Sequence, residues 1–298
     1  MQLSCSIPLP ATFRPGDILA FHRRDPQENA ERVSDASLHK GMIWCGAPAC
    51  LSIRFHRRHA MAALDIDNHV VGDRQRDFER MVWRMLGLAQ GIEAFEERYH
   101  NHSQLGPLIE RQPGLRVPVT ATPFEALTWA ITGQQISVSA AISLRRKLIK
   151  AANICHSGGL LCYPEARQIL ELEEETLRQA GFSTTKSKTL LKLSALVADD
   201  KLPLDVWAET LPVDAIRTQL EAVRGIGPWT VNYALLRGYG WLDGSLHGDA
   251  AVRRGLQTLL NSPEKICEEE ASTWLAQFSP WRALIGAHIW ATQSSVAY

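Results

Sequence analysis

Residues 223–230 read VRGIGPWT, and no other stretch of the chain constrains the fold as tightly. Before it, VDAIRTQLEAV sets Ile216, Leu220 and Val223 at helical spacing; after it, WTVNYALLRGYG keeps helical register until its own glycines. The link between the two helices is therefore RGIGP alone, which forces a very short turn. Gly225 and Gly227 permit positive φ and leave backbone N–H groups uncovered, and Pro228 suits the first turn of the helix that follows. Unpaired amides at a helix N-terminus make an anion site that needs no lysine. That point matters because the chain has 32 basic and 32 acidic residues and a formal net charge of zero, so bulk charge announces no polyanionic partner. Taken alone, the turn also reads as an ordinary helical hairpin with glycines for close packing.

The surrounding sequence supplies context. At 298 residues the chain suits two or three subdomains. In the first 70 or so residues, short apolar stretches such as GMIWC and CLSIRF alternate with polar and Gly/Pro segments, which predicts a small sheet. After Gly72 the pattern becomes helical. RQRDFERMVWRMLGL spaces Phe78, Met81, Val82 and Met85 along one face, with Gly87 at its end. RQPGLRVPVTATP reads as a connector between lobes. Thr122, Pro123 and Glu125 form the pattern of a capping box with proline at the first helical position, and the helix then places Phe124, Leu127 and Ile131 together. VSAAISLRRKLIKAA reads as the next helix; Arg145, Arg146, Lys147 and Lys150 near its end serve either the helix dipole or phosphate contact. PEARQILELEEETLRQAG and KSKTLLKLSALVADD read as one helix each, with Lys186 and Lys188 opposing the dipole at the start of the second unless an anion is near.

With these neighbours the hairpin stretch resembles the helix-hairpin-helix of the DNA glycosylase superfamily, a Gly-hydrophobic-Gly turn followed some 20 residues later by an aspartate. SLHGDAAVRRGL supplies Asp249, 20 positions beyond Trp229. FEALTWAITGQQISVSAA resembles the family's segment that reaches the minor groove. SPWRALIGAHIW and the strand-rich opening with DILAFHRR resemble the closing helix and N-terminal domain of the 3-methyladenine DNA glycosylase II branch. The resemblance implies a mainly α fold with an N-terminal α+β domain, a small antiparallel sheet followed by two helical subdomains flanking a cleft. The expected division is 1–99 for the sheet domain, 100–122 plus 242–298 for the helical domain bearing the aspartate, and 123–241 for the central helical domain with the hairpin.

The implied activity is hydrolysis of the N-glycosidic bond of alkylated purines after base flipping. The chemistry needs a base taken out of the stack, an aromatic pocket tolerant of positive charge and a carboxylate near the anomeric carbon. A methylated purine that already carries charge is a good leaving group, so one carboxylate that steadies the oxocarbenium-like state and takes a proton from water suffices. Asp249 is the candidate; as a favoured N-cap residue it can also hold a helix start. The resemblance assigns the base pocket to Trp229, Tyr233, Trp290 and, from the N-terminal domain, Phe21. It assigns DNA contact to Gly225, Ile226 and Gly227, and the gap left by the flipped base to Gln135 or Ile136. Relatives with strand-cleaving activity place a lysine where this chain has Trp229, so a monofunctional hydrolase is implied. Ala250 and Ala291 stand where members of the branch can carry aromatics, which puts the substrate range in question.

Other chemistries are poorly supported. The six cysteines are scattered without a CxxC pair, GIGPWT lacks the third glycine of a dinucleotide fingerprint, and neither GxSxG nor a P-loop occurs. His56 with His59 and His100 with His102 read as solvated surface. No catalytic metal and no cofactor are expected; the resemblance implies a monovalent cation at the hairpin carbonyls when DNA is bound. The partner is double-stranded DNA containing alkylated bases, with no membrane and a monomeric state expected. MQLSCSIPLP lacks the basic and apolar regions of a signal peptide, which places the expected location in the cytoplasm. A DNA-damage binding protein without turnover, and a helical metabolic enzyme, are the competing readings.

Overall fold

The structure, a computed structural model, describes residues 1–293; the last five positions of the expected 242–298 segment lie outside the described residues. The chain opens with β1 (Gln2–Pro8), α1 (Pro15–His22), β2 (Glu31–Val33), β3 (Ser37–Trp44), β4 (Ala47–Phe55) and β5 (His59–Ile66), followed by α2 (Gln75–Met85). The strands form one antiparallel sheet in the order β1-β5-β4-β3-β2, with Leu51 opposite Leu64 and Ile53 opposite Ala62. Alternate residues of β4 are fully buried, the period a half-covered sheet requires. Phe78, Met81, Val82 and Met85 of α2 close that face together with Ile18 and Leu19 of α1.

The remainder is helical: α3 (Ile92–Tyr99), α4 (Leu105–Arg111), α5 (Pro123–Gly133), α6 (Val138–Ala152), α7 (Ala166–Leu170), α8 (Glu174–Gln179), α9 (Thr184–Ala198), α10 (Leu204–Thr210), α11 (Val213–Glu221), α12 (Pro228–Tyr239), α13 (Ala250–Leu259), α14 (Glu268–Ala276) and α15 (Arg282–Thr292). None is long and apolar enough to cross a membrane among the described residues. Helices α5 and α12 lie side by side at the centre and are buried nearly all round, because they serve two cores at once. Phe124, Leu127 and Ile131 with Val231, Ala234 and Leu235 face the core of α7–α11. Trp129 and Ala130 with Tyr233 and Leu236 face the core of α3, α4 and α13–α15.

Several expectations change. Helix α3, which the expected division at residue 99 assigns to the sheet domain, buries Ile92, Phe95 and Tyr99 among the C-terminal helices. PEARQILELEEETLRQAG is two short helices, α7 and α8, separated where Glu173 takes extended backbone as the N-cap of the second. Only half of the expected capping box forms. The Thr122 hydroxyl accepts from the Glu125 N–H at 3.2 Å, but the Glu125 carboxylate turns inward to Lys40 Nζ (2.7 Å) and Arg145 Nη2 (3.0 Å). Glu31, Lys40, His22 and Arg145 complete a buried ionic cluster tying the sheet domain to α5 and α6. Arg145 therefore serves neither of its two expected purposes. Arg146 pairs with Asp25 at 2.9 Å and Lys150 bonds Gln27, so this basic group faces the N-terminal domain. Of the connector expected at 111–123, residues 112–122 lack regular structure and most of them are buried; Thr120 N–H donates to Arg237 O and Arg116 bonds Gly87 O, Gln90 O and Glu93.

Candidate active site

The hairpin joins α11 to α12 through residues 222–227. Gly225 sits at φ +96°, and a Cβ there would run into the Thr189 side chain, whose hydroxyl donates to Arg224 O at 3.1 Å. Gly227 departs from expectation: its φ is −110°, so it needs no left-handed backbone. What distinguishes it is open space, with nothing within 4 Å of the position a Cβ would take. It is the N-cap of α12, with Pro228 at the first helical position, and no side chain caps the helix's first N–H groups.

Gln134, which sequence reasoning passed over, locks the adjoining turn in place. Its Nε2 donates to Gly225 O and to Thr230 Oγ1, both at 2.9 Å. The α5–α6 turn that holds Gln135 and Ile136 is thus fixed to the hairpin. Both residues are exposed, Ile136 by 40%, and Gln135 takes left-handed backbone at φ +57°. No pattern in GQQIS distinguishes Gln134 from Gln135; only the fold does. Lys186, one of the two lysines at the start of α9, donates to Thr132 O at the end of α5 (2.8 Å), so a carbonyl takes the place of the anion expected there.

Asp249 is the N-cap of α13. Its Oδ1 accepts from the Ala251 and Val252 N–H groups at 2.8 and 2.9 Å and from Trp290 Nε1 at 3.3 Å, while Oδ2 accepts from Trp229 Nε1 at 3.1 Å. Two helix amides and two indoles hold the carboxylate in one orientation, with 8% of the residue exposed. The spacing of 20 residues thus becomes a direct contact between the start of α12 and the start of α13. Trp290 reaches it because α15 packs tightly on α13, where Gly255 leaves room for Ile289. The rings continue as a wall: Trp229 to Tyr233 at 5.4 Å and Tyr233 to Trp290 at 6.3 Å between centroids. Ala250 and Ala291 are both exposed beside this wall.

Behind the wall stand two guanidinium groups that sequence reasoning did not find. Arg237 lies 5.6 Å from the Trp290 ring centre and 4.8 Å from that of Phe21; Arg24 lies 4.0 Å from Phe21 and 4.5 Å from Trp129. Phe21 does join the pocket's surroundings, but it is 3% exposed and covered by both arginines, so its ring backs the pocket instead of lining its mouth. Burial pushes Arg237 down to about 10, which leaves it cationic at neutral pH, and burial also lowers Arg24. Among the described residues no carboxylate comes within ion-pair distance of either, although Glu31 and Glu125 act on Arg24 from farther off.

Elsewhere, His56 and His59 stack on each other at 4.5 Å, and no group of three or more metal-ligating side chains gathers among the described residues. All six cysteines are free thiols. A cleft of about 990 Å³ lies between α2 and α10, lined by Trp44, Arg84, Glu165, Asp205 and Tyr239. It shares no residue with the Asp249 site and sits at the opposite end of α12, about 15 Å along the helix axis from Trp229.

A helix-hairpin-helix turn facing a capped, indole-bonded aspartate across a two-lobed helical fold defines a class of base-excision proteins. The chain belongs to the HhH-GPD superfamily of base excision DNA repair proteins, whose family profile matches residues 128–279, just over half of it. It is 29% identical over 191 residues to the DNA-3-methyladenine glycosylase 2 of Escherichia coli (strain K12), a match covering 63% of this chain and 64% of that protein, less than two thirds of the relative's length. The fold is similar to that of a 3-methyladenine DNA-glycosylase from Archaeoglobus fulgidus, with a TM-score of 0.79 at 18% identity over 97% of this chain and 99% of the other. It is also similar to a Schizosaccharomyces pombe 3-methyladenine DNA glycosylase in complex with abasic DNA, with a TM-score of 0.57 at 22% identity over 66% and 95% of the two chains.

Proposed function

We propose that this protein is a monofunctional DNA glycosylase that removes alkylated purines from double-stranded DNA, acting as a monomer in the cytoplasm. The observation that carries the reading is the Asp249 carboxylate fixed by four N–H donors beside an aromatic wall, with Trp229 where a Schiff-base lysine would stand. The names of the relatives support the substrate class. The hairpin amides around Gly225, Ile226 and Gly227 hold a phosphate of the lesion strand, and the same turn's carbonyls take a monovalent cation when DNA is bound. Gln135 or Ile136 enters the gap in the stack. The flipped base lies against Trp229 and Tyr233, with Trp290 behind.

Asp249 then serves in two ways. Its negative charge steadies the sugar as it becomes oxocarbenium-like, and its free lone pairs accept the proton of the attacking water. Fixed donors leave the carboxylate little to reorganise at the moment of reaction. Replacing Asp249 by Asn removes the charge and points an N–H₂ group at an indole donor; release of free base from methylated duplex falls by about 100-fold or more. Chromatography of released base from wild type and variant checks this. Equal release by the two rejects the role of Asp249, and no release by wild type rejects the enzyme reading in favour of a damage-binding protein.

A further inference from the structure

Resting on the glycosylase reading, we infer that Gln134 is a positioning residue for base extrusion. It ties the turn that fills the gap in the stack to the hairpin that holds the backbone, so that the two meet the duplex as one rigid body. The turn is poorly held by its own backbone. Gln134 N–H to Ile131 O and Ile136 N–H to Gly133 O both measure 3.4 Å, at the outer edge of a useful hydrogen bond. Between them Gln135 sits in left-handed backbone at φ +57°, which an L side chain enters only at a cost.

The close contacts come from outside the turn. The Gln134 amide directs both of its hydrogens at the hairpin, to Gly225 O and to Thr230 Oγ1, each at 2.9 Å. A carbonyl can only accept, so the bond to Gly225 O fixes which end of the amide faces the hairpin. The start of α9 then stands behind both partners. Lys186 Nζ holds Thr132 O in the last turn of α5 at 2.8 Å. Thr189, three residues on, holds Arg224 O at 3.1 Å and fills the space beside Gly225.

Rigidity here bears on extrusion. Taking a base out of the stack is uphill, and a side chain that enters the gap offsets the cost only as far as it stays there. An exposed turn on long internal bonds would yield to the closing stack. Tied through Gln134 to a hairpin on a phosphate, it can retreat only if that grip moves with it, whichever of Gln135 and Ile136 enters the duplex. The Asp249 carboxylate shares no hydrogen bond with Gln134, Gly225 or Thr230. Losing the tie therefore lowers the extruded fraction and leaves the hydrolytic step as it was.

The experiment measures single-turnover release of 7-methylguanine, with enzyme in excess, from two duplexes that differ only in the opposite base, cytosine or thymine. A mismatched base is easier to extrude, so the tie matters less there. Gln134→Met keeps length and bulk but donates nothing. It is expected to slow release opposite cytosine on the order of tenfold, the effect of two modest hydrogen bonds, and release opposite thymine by a smaller factor. The fluorescence of a 2-aminopurine placed beside the lesion, which rises as its neighbour leaves the stack, is lower with this variant than with wild type. Thr230→Val removes one of the two acceptors and slows release opposite cytosine less; combined with Gln134→Met it adds nothing, because both act through one contact. If Gln134→Met does not fold, Thr230→Val carries the same comparison of opposite bases. Equal slowing on both duplexes, additive effects of the two substitutions, or a Gln134→Met enzyme as fast as wild type overturns the inference and leaves the glycosylase reading intact. No release by wild type from either duplex overturns both.

Discussion

Trp229 illustrates how much one side chain is asked to do at this site. Its backbone lies in the first turn of α12, its ring meets Tyr233, and its Nε1 holds Asp249 Oδ2. Trp229→Phe keeps an aromatic face and removes only the donor. Base release is expected to fall about tenfold as the carboxylate gains a second orientation, with little loss of thermal stability, since one partly buried hydrogen bond contributes about 1 kcal/mol. Single-turnover kinetics alongside a melting curve check both halves. Asp249 itself was legible through the family resemblance and its 20-residue spacing, but its hydrogen bond from Trp229 Nε1 was not and appears only in the fold. Arg24 and Arg237 were not legible. Their neighbours come from opposite ends of the chain, and an arginine in a helical pattern gives no sign of whether its guanidinium meets solvent or the back of an indole.

At the level of elements, the hairpin's two glycines separate into two kinds. Gly225 is required by backbone and packing, since it holds φ +96° against Thr189. Gly227 is conformationally ordinary and stands in open space. Gly225→Ala is expected to lower stability by about 1–3 kcal/mol through strain and overlap. Gly227→Ala is expected to leave the melting temperature nearly unchanged and weaken binding to abasic-site DNA, because the added methyl group meets the phosphate. Thermal melts and salt titrations of DNA binding distinguish the two. Helix α6 was read from sequence with both ends in place, because Ser137 caps it and Asn153 stops it with left-handed backbone. The α7–α8 break was missed because ILELEEE has no glycine or proline, and the interruption is enforced by burial of Ile169 and Leu177 in one core. The capping box at Thr122 looked complete, but a buried lysine and arginine drew Glu125 away from the backbone.

At the scale of the whole molecule, the N-terminal interface carries a buried ionic cluster beside a small apolar one of Ala30, Ile149 and Tyr163. Burial alone would raise the carboxyl groups of Glu31 and Glu125, but Arg145 and Lys40 outweigh it and hold both below the ordinary range, Glu31 well below. Groups lowered on folding give stability that is present above their unfolded pKa, about 4.3, and lost as pH falls through the folded values. The share of stability contributed by Glu31 and Glu125 is therefore expected, in denaturant unfolding, to be level from neutral pH to about pH 5 and to fall steeply below pH 4, on a background set by buried His288, held down to about 4, and buried Glu165, pushed up to about 8. Lys40→Met leaves two buried carboxylates to share Arg145 and is expected to cost about 3–5 kcal/mol at neutral pH, with much of that cost gone in acid. Sequence composition could not reveal this interface, since Glu31, Lys40, Glu125 and Arg145 are scattered and each reads as surface charge.

Phe21 and Arg24 bring the sheet domain up behind the aromatic wall, a closeness to the Asp249 site that their distance along the chain conceals. Chains that exchange or remodel the segment ahead of such a helical core would keep the hairpin and the aspartate in contact. They would redraw the electrical background of the pocket at the same stroke. The surroundings of the aromatic wall can then change while the hairpin and the aspartate it faces stay as they are.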